Sequence, residues 1–208
     1  MKRFVVLVLS LAVFLTLGMN PAGAAKPERY RSQAFNAYWN SRQRVDRKTY
    51  DRTQWYAGVY SSGDRFFSDL YKNVERCTRR AGHTRCNAVT NWYGSIEDLG
   101  TGSFSIDRKL DTGTLTATYR LEDAQSETLV GVTAVSVNLI GVGDISTERS
   151  RNTYTDGCRT FRSSSRYSRR TAYATGSFQI GAKAAQRFGF TAEAFMSHGS
   201  ELNFSKTC

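Results

Sequence analysis

The strongest constraint on the fold of this chain is a hydrophobic pattern with a period of two. Residues 114–121 place Leu115, Ala117, Tyr119 and Leu121 on one side and polar side chains on the other. Successive side chains of a strand point to opposite faces, so the pattern is typical of a β-strand with one buried face. Similar alternation recurs at residues 35–39, 104–110, 129–139, 172–180 and 188–196. An all-β protein is therefore predicted.

Short alternating segments with almost no helical periodicity predict one domain, an antiparallel β-sandwich or barrel that spans residues 25–208. Residues 66–74 also fit a helix, but their strand-like neighbours favour a strand. Residues 111–113 (Asp-Thr-Gly) have the chemistry of a hairpin turn. With 12 Phe, 11 Tyr and 3 Trp there is ample material for a core, in which all three tryptophans are expected.

The N-terminal residues have the features of a secretory signal peptide. Lys2 and Arg3 precede an uncharged apolar run at residues 4–17, and residues 22–24 (Ala-Gly-Ala) offer a small-residue cleavage site. The run is shorter than the roughly 20 residues of a spanning helix, and no later segment is apolar enough to hold the chain in a membrane. Residues 1–24 are therefore predicted to be removed, leaving a secreted, extracellular protein; a retained N-terminal anchor is the less favoured alternative.

The four cysteines all follow the predicted signal peptide. An even number in a secreted chain indicates two disulfides, for which three pairings are possible. We favour Cys77–Cys86, which closes a short loop, and Cys158–Cys208, which ties down the last residue. In the chain-entropy account these loops would contribute about 2.7 and about 4 kcal/mol. The spacing around His83 matches no zinc site, so neither a metal nor a cofactor is predicted.

Two short segments carry a resemblance. They read L-D-T-G-T-L-T-A-T at residues 110–118 and V-S-V-N-L-I-G-V-G-D at residues 135–144. Over about residues 100–180 the chain resembles a loose group of uncharacterised secreted bacterial β-proteins. The resemblance implies a β fold and secretion, and it implies no activity because none is assigned to that group.

Charge is segregated along the chain. The formal net charge is +11, of which +9 lies after residue 24. Residues 26–52, 72–85 and 149–170 carry net charges of +5, +4 and +6, whereas residues 95–148 carry −6. Concentrated charge of one sign attracts partners of the other sign. The expected partner is therefore anionic, such as a cell-envelope polymer, an acidic glycan or a nucleic acid; no oligomeric state is predicted.

Two basic clusters are the candidate ligand-binding residues. The first is the loop that a Cys77–Cys86 disulfide would close; its members are Arg79, Arg80, His83 and Arg85. A pinned loop loses less conformational freedom when it binds, which suits recognition. The second consists of Arg162, Arg166 and Arg170, which share one face as either helix or strand. Residues 163–165, all serine, indicate that this second cluster is a mobile loop. Either cluster could instead be a solubilising surface.

No catalytic constellation is present in the sequence. There is no G-x-S-x-G, H-E-x-x-H or phosphate-binding glycine loop, so no catalytic residue is assigned and a non-catalytic binding protein is expected. One alternative is a nuclease-like phosphodiester hydrolase in which His83 and His198 act as base and acid, which requires them to meet in space. The other is a carbohydrate-binding module that uses exposed Trp or Tyr.

Overall fold

The computed structural model describes residues 27–189 and 193–207, and within them the only regular secondary structure is β-strand. The all-β prediction is confirmed. The strands are β1 (Glu28–Arg44), β2 (Thr49–Ser62), β3 (Arg65–Arg80), β4 (His83–Ile96), β5 (Ser103–Ile106), β6 (Thr112–Asp123), β7 (Leu129–Asp156), β8 (Arg159–Ile180), β9 (Gln186–Phe188) and β10 (Glu193–Thr207). No helix in the described ranges is long and apolar enough to cross a membrane. The predicted signal peptide, residues 1–24, lies outside them.

All ten strands belong to one antiparallel sheet whose pairing is ring-like. The order is β10-β1-β2-β3-β4-β6-β7-β8-β9, β5 pairs with β6, and β10 also pairs with β8. The predicted sandwich is therefore wrong, because its two sheets are joined into one. It is not a barrel either, since β4 and β6 share only two residue pairs. The alternating pattern shows only that each strand has one buried face. Two packed sheets and a single sheet that folds over on itself both produce this pattern.

The core lies inside the ring and is built from the residues that alternate inward. Trp39 and Trp55 are 2% and 1% exposed, and Phe178 stacks on Trp55 with ring centroids 4.4 Å apart. Trp92 is partly buried and packs against the same cluster. The expectation that the tryptophans are core residues is confirmed. Residues 66–74 lie within β3, so the preference for a strand there is also confirmed.

The turn before β6 closes one end of the core, and it falls earlier than the sequence predicted. Residues 107–111 form it, whereas Thr112 and Gly113 already belong to β6. The Asp107 carboxylate accepts hydrogen bonds from the backbone N–H groups of Lys109 (2.7 Å) and Thr112. Leu110 adopts a left-handed φ of 57° with its side chain buried. The Asp107 side chain, rather than residues 111–113, therefore organises the turn.

The Cys77–Cys86 disulfide is present and joins directly opposite residues of β3 and β4. This half of the cysteine prediction is confirmed. Cys208 lies outside the described residues, so the Cys158–Cys208 pairing stays a prediction. No described cysteine is free.

Several strands extend well beyond the core, with 28 residues in β7 and 22 in β8. At one end the sheet continues as four paired strands whose residues are mostly exposed or half-buried, which we call the distal extension. It consists of residues 28–33, 146–156, 159–170 and 197–207. At the other end the β3–β4 hairpin projects past the turn between β1 and β2. These two ends carry the predicted basic clusters.

Candidate anion-binding surface

The first predicted cluster occupies the tip of the β3–β4 hairpin. Ala81 and Gly82 form its two-residue turn, with φ of 47° and 79°, as such hairpins require. Arg80 is directly opposite His83, and Arg85 lies two residues along on the same face. Arg79 alternates onto the other face. The tip is exposed, but its four candidate residues do not form one surface.

The second predicted cluster lies in a strand, so the interpretation as a mobile loop is wrong. Residues 163–165 pair with β7 along one edge of β8 and with β10 along the other. Arg162, Arg166 and Arg170 share the face that leads into buried Ala172 of the core. Serine is only weakly unfavourable in a strand, and β8 is paired along both edges. Strand pairing therefore overrides the local preference of the three serines for a loop.

The register brings further arginines onto the same face. Arg149, Arg166, Ser200 and Arg31 form one row across β7, β8, β10 and β1. The next row towards the β7–β8 turn is formed by Arg151, Ser164, Leu202 and Arg29. Lys206 follows further out, opposite Thr160. We call this surface the arginine face; its basic residues are Arg29, Arg31, Arg149, Arg151, Arg162, Arg166, Arg170 and Lys206.

The acidic residues of the distal extension lie on the opposite face. Alternation places Glu28, Glu148, Asp156 and Glu201 there, together with Arg159 and Arg169. Charge in the four strands is therefore sorted by face as well as by segment. A surface that carried charge only for solubility would have no reason to exclude acids from one side.

A shallow groove lies on the arginine face. Its volume is about 420 Å³, and Arg29, Arg31 and Arg166 contribute its positive charge. Ser164, Ser200 and Leu202 complete the lining on this face, and Glu201 contributes from its edge. The groove is open and polar, which suits an extended charged ligand better than a small apolar molecule.

Six of the arginines lack an ion-pair partner in the described part of the chain: Arg29, Arg31, Arg149, Arg151, Arg162 and Arg166. Arg170 differs from them, because it pairs with Asp111 and donates to the Gly143 carbonyl at 2.9 Å. Arg149 and Arg166 are directly opposite each other, a like-charge arrangement that destabilises a sheet. Folding alone does not favour such a pair, whereas an anionic ligand would relieve it.

The two histidines are far apart. His198 Nε2 donates to the Asp107 carbonyl at 2.7 Å, and its row runs through Gln33 and Ser61 to Phe66 of β3. His83 is opposite Arg80, fourteen positions further along β3. At about 3.3 Å per residue this is roughly 45 Å, so the structure does not bring the proposed acid–base pair together.

One group of potential metal ligands occurs beside the hairpin disulfide. The ligand atoms of Glu75, Cys77 and Cys86 lie within 4.8 Å of one another. Both sulfur atoms are already bonded to each other, so neither is available as a thiolate. This group therefore offers no metal site while the disulfide is intact.

No model of a known protein family matches the chain, and no curated protein matches it in sequence.

Proposed function

We propose that this is a secreted, non-catalytic protein that binds an anionic polymer through the arginine face. The observation that carries the proposal is the set of six guanidinium groups on one face of four adjacent strands that have no ion-pair partner among the described residues. The acidic residues of the distal extension alternate to the other side. An anionic ligand would supply the missing counter-charge.

The spacing of the arginine face suits a polymer rather than a single ion. Neighbouring strands are about 4.8 Å apart and same-face residues along a strand about 6.7 Å apart, so the charges form a grid. Guanidinium groups present planar pairs of donors that match carboxylate, sulfate and phosphate oxygens. A chain with repeated anionic groups would contact several grid positions at once, which raises its affinity through avidity.

The hairpin cluster is a secondary contact in this proposal. Arg80 lies roughly 45 Å along the sheet from the row of Gln33, so one short ligand does not reach both ends. The hydrolase alternative has lost its support, because His83 and His198 are also roughly 45 Å apart.

Secretion and a second disulfide are part of the proposal. The signal-peptide features of residues 1–24 support secretion. The β8–β10 register places Thr207 opposite Arg159, which follows Cys158 directly. That register supports a Cys158–Cys208 disulfide, which would hold the end of β10 against the start of β8.

A double substitution, R149S/R166S, tests the function. Binding of the oxidised protein to labelled single-stranded RNA and to polygalacturonate is titrated at several salt concentrations. We expect at least tenfold weaker binding, and for RNA a salt slope reduced by about 1.4, because two phosphate contacts are lost.

The matched control is R120S/R159S, which removes the same charge from solvent faces away from the arginine face. It should bind nearly as the wild type does. Equal weakening of both variants would show that net charge, rather than this surface, determines binding.

A further inference from the structure

A row of four tyrosines crosses the solvent side of the sheet, away from the arginine face. Tyr38, Tyr56, Tyr71 and Tyr93 are directly opposite one another on β1, β2, β3 and β4. Successive ring centroids are 4.8, 5.6 and 4.8 Å apart. Because the neighbouring positions along these strands are core residues, the rings belong to the outer face. They form a continuous aromatic strip, about 15 Å long, which we call the tyrosine row.

Two rings of the tyrosine row are exposed to solvent, and the hydroxyl groups of the other two donate hydrogen bonds. Tyr38 and Tyr71 are 42% and 40% exposed. Tyr56 donates its hydroxyl hydrogen bond to Asn36 Oδ1 at 2.6 Å, and Tyr93 donates to Asp69 at 3.3 Å. Partial burial, with Asp69 nearby, raises the pKa of Tyr71 to about 12. The Tyr71 hydroxyl group therefore stays protonated at physiological pH.

Rows of polar side chains flank the tyrosines on the same face. On one side lies a row of four amides, Asn40, Gln54, Asn73 and Asn91. On the other side lie Asn36, Asp69 and Ser95. Asparagine and aspartate are disfavoured in strands, so sheet stability does not account for their concentration here. Through their side chains the four amides make no hydrogen bond to another described residue.

We propose that the tyrosine row binds a neutral polysaccharide that runs across the strands. The apolar faces of sugar rings stack on aromatic rings, and amide groups, as both donors and acceptors, pair with sugar hydroxyls. Asp69 is the only charged residue in the two flanking rows, and Glu122 of β6 lies opposite Tyr93 at the end of the tyrosine row, so a neutral ligand fits better than an anionic one. This surface is separate from the arginine face.

Retention of the oxidised protein on microcrystalline cellulose, chitin and starch granules, in buffer with 0.5 M NaCl, tests the proposal. The salt suppresses binding through the arginine face. We expect the wild type to be retained on at least one polymer, which identifies the linkage, and Y71A to be retained at least fivefold less. Y154A is the control, because Tyr154 is 66% exposed but lies outside the row.

Two further variants separate binding from folding. Y71F keeps the ring and should retain binding, whereas N73A should weaken it without removing a ring. Y71A should bind RNA as the wild type does, so failure here leaves the proposed anion binding unaffected. No retention of the wild type on any of the three polymers, or equal retention of Y71A and wild type, would overturn the proposal.

Discussion

At the scale of single residues, the arginine pair on β7 and β8 shows a conflict between folding and binding. Arg149 and Arg166 are seventeen positions apart in sequence but directly opposite in the sheet. Like charges in such positions repel, and no described acid neutralises them. An anionic ligand between the two guanidinium groups would relieve this repulsion.

Removing one member of this pair should therefore stabilise the free protein. We expect R149S to raise the free energy of unfolding by about 0.5 kcal/mol, measured by urea denaturation at low salt. A saturating polyanion should reverse the order, because the wild type gains more from binding. R159S serves as the control on the opposite face. An R149S protein less stable than R159S would contradict this account.

Lys72 is a charged residue on the core side of the sheet. Its ammonium group lies 5.2 and 4.3 Å from the rings of Trp55 and Trp92, on the core side of β3. Burial, together with the charge of Lys183, lowers the pKa of Lys72 below its usual value of 10.5. The unfolded chain thus binds this proton more tightly than the native protein does.

The pH dependence follows from that difference. Between the lowered folded pKa and 10.5 the unfolded state holds more protons, so this residue makes stability increase with pH. K72M keeps much of the side-chain volume without the titrating group. The free energy of unfolding of the wild type, minus that of K72M, should therefore increase as the pH rises from 7 towards 10. Urea denaturation across this range measures it, and a constant difference would refute the assignment.

At the scale of elements, we expect the end of the β3–β4 hairpin to depend on its disulfide, whereas the core strands are held by packing. The tip residues project into solvent. Cys77 and Cys86 lie opposite each other, and each is four positions from the nearer residue of the two-residue turn. A hairpin without a hydrophobic face is only marginally stable. The disulfide therefore keeps Arg80, His83 and Arg85 in register.

Loss of this bond should be measurable in both stability and local opening. C77S/C86S should lower the free energy of unfolding by about 2–3 kcal/mol, and amide hydrogens of the tip should exchange faster than those of β6. The wild type, measured in parallel, gives the reference protection pattern. Unchanged exchange at the tip would show that strand pairing alone holds the hairpin.

At the scale of the whole molecule, one sheet presents two chemically different surfaces. The arginine face continues the core side of the sheet, while the tyrosine row lies on its solvent side. A protein with both could link an anionic polymer to a neutral polysaccharide outside the cell. Such a role requires export.

Export makes a direct prediction about the mature chain. Expression of the full sequence in a secreting host should release a protein that begins at Ala25 and carries a net charge of +9. N-terminal sequencing of the secreted product checks the cleavage site. A cell-retained product that still begins at Met1 would contradict it, and a variant with Ala22 and Ala24 replaced by Leu should fail to be cleaved.

The fold class, the buried tryptophans and the hairpin disulfide could be predicted from local pattern. Alternation of apolar residues marks strands because side-chain direction depends only on neighbouring backbone, as at residues 114–121. Cys77 and Cys86 are close enough in sequence for a short loop to pair them. The arginines of residues 149–170 could be singled out by charge, but their local serines indicated a loop.

What the sequence by itself determined is which residues face inward along each strand and where charge is concentrated. Only the tertiary structure decided which strands meet, and thus that Arg31 and Arg149 share a row with Arg166, or that Tyr38 lies in line with Tyr93. Alternation sets the face of each side chain, but register and strand order come from packing between distant segments. Both candidate surfaces exist only once those pairings form.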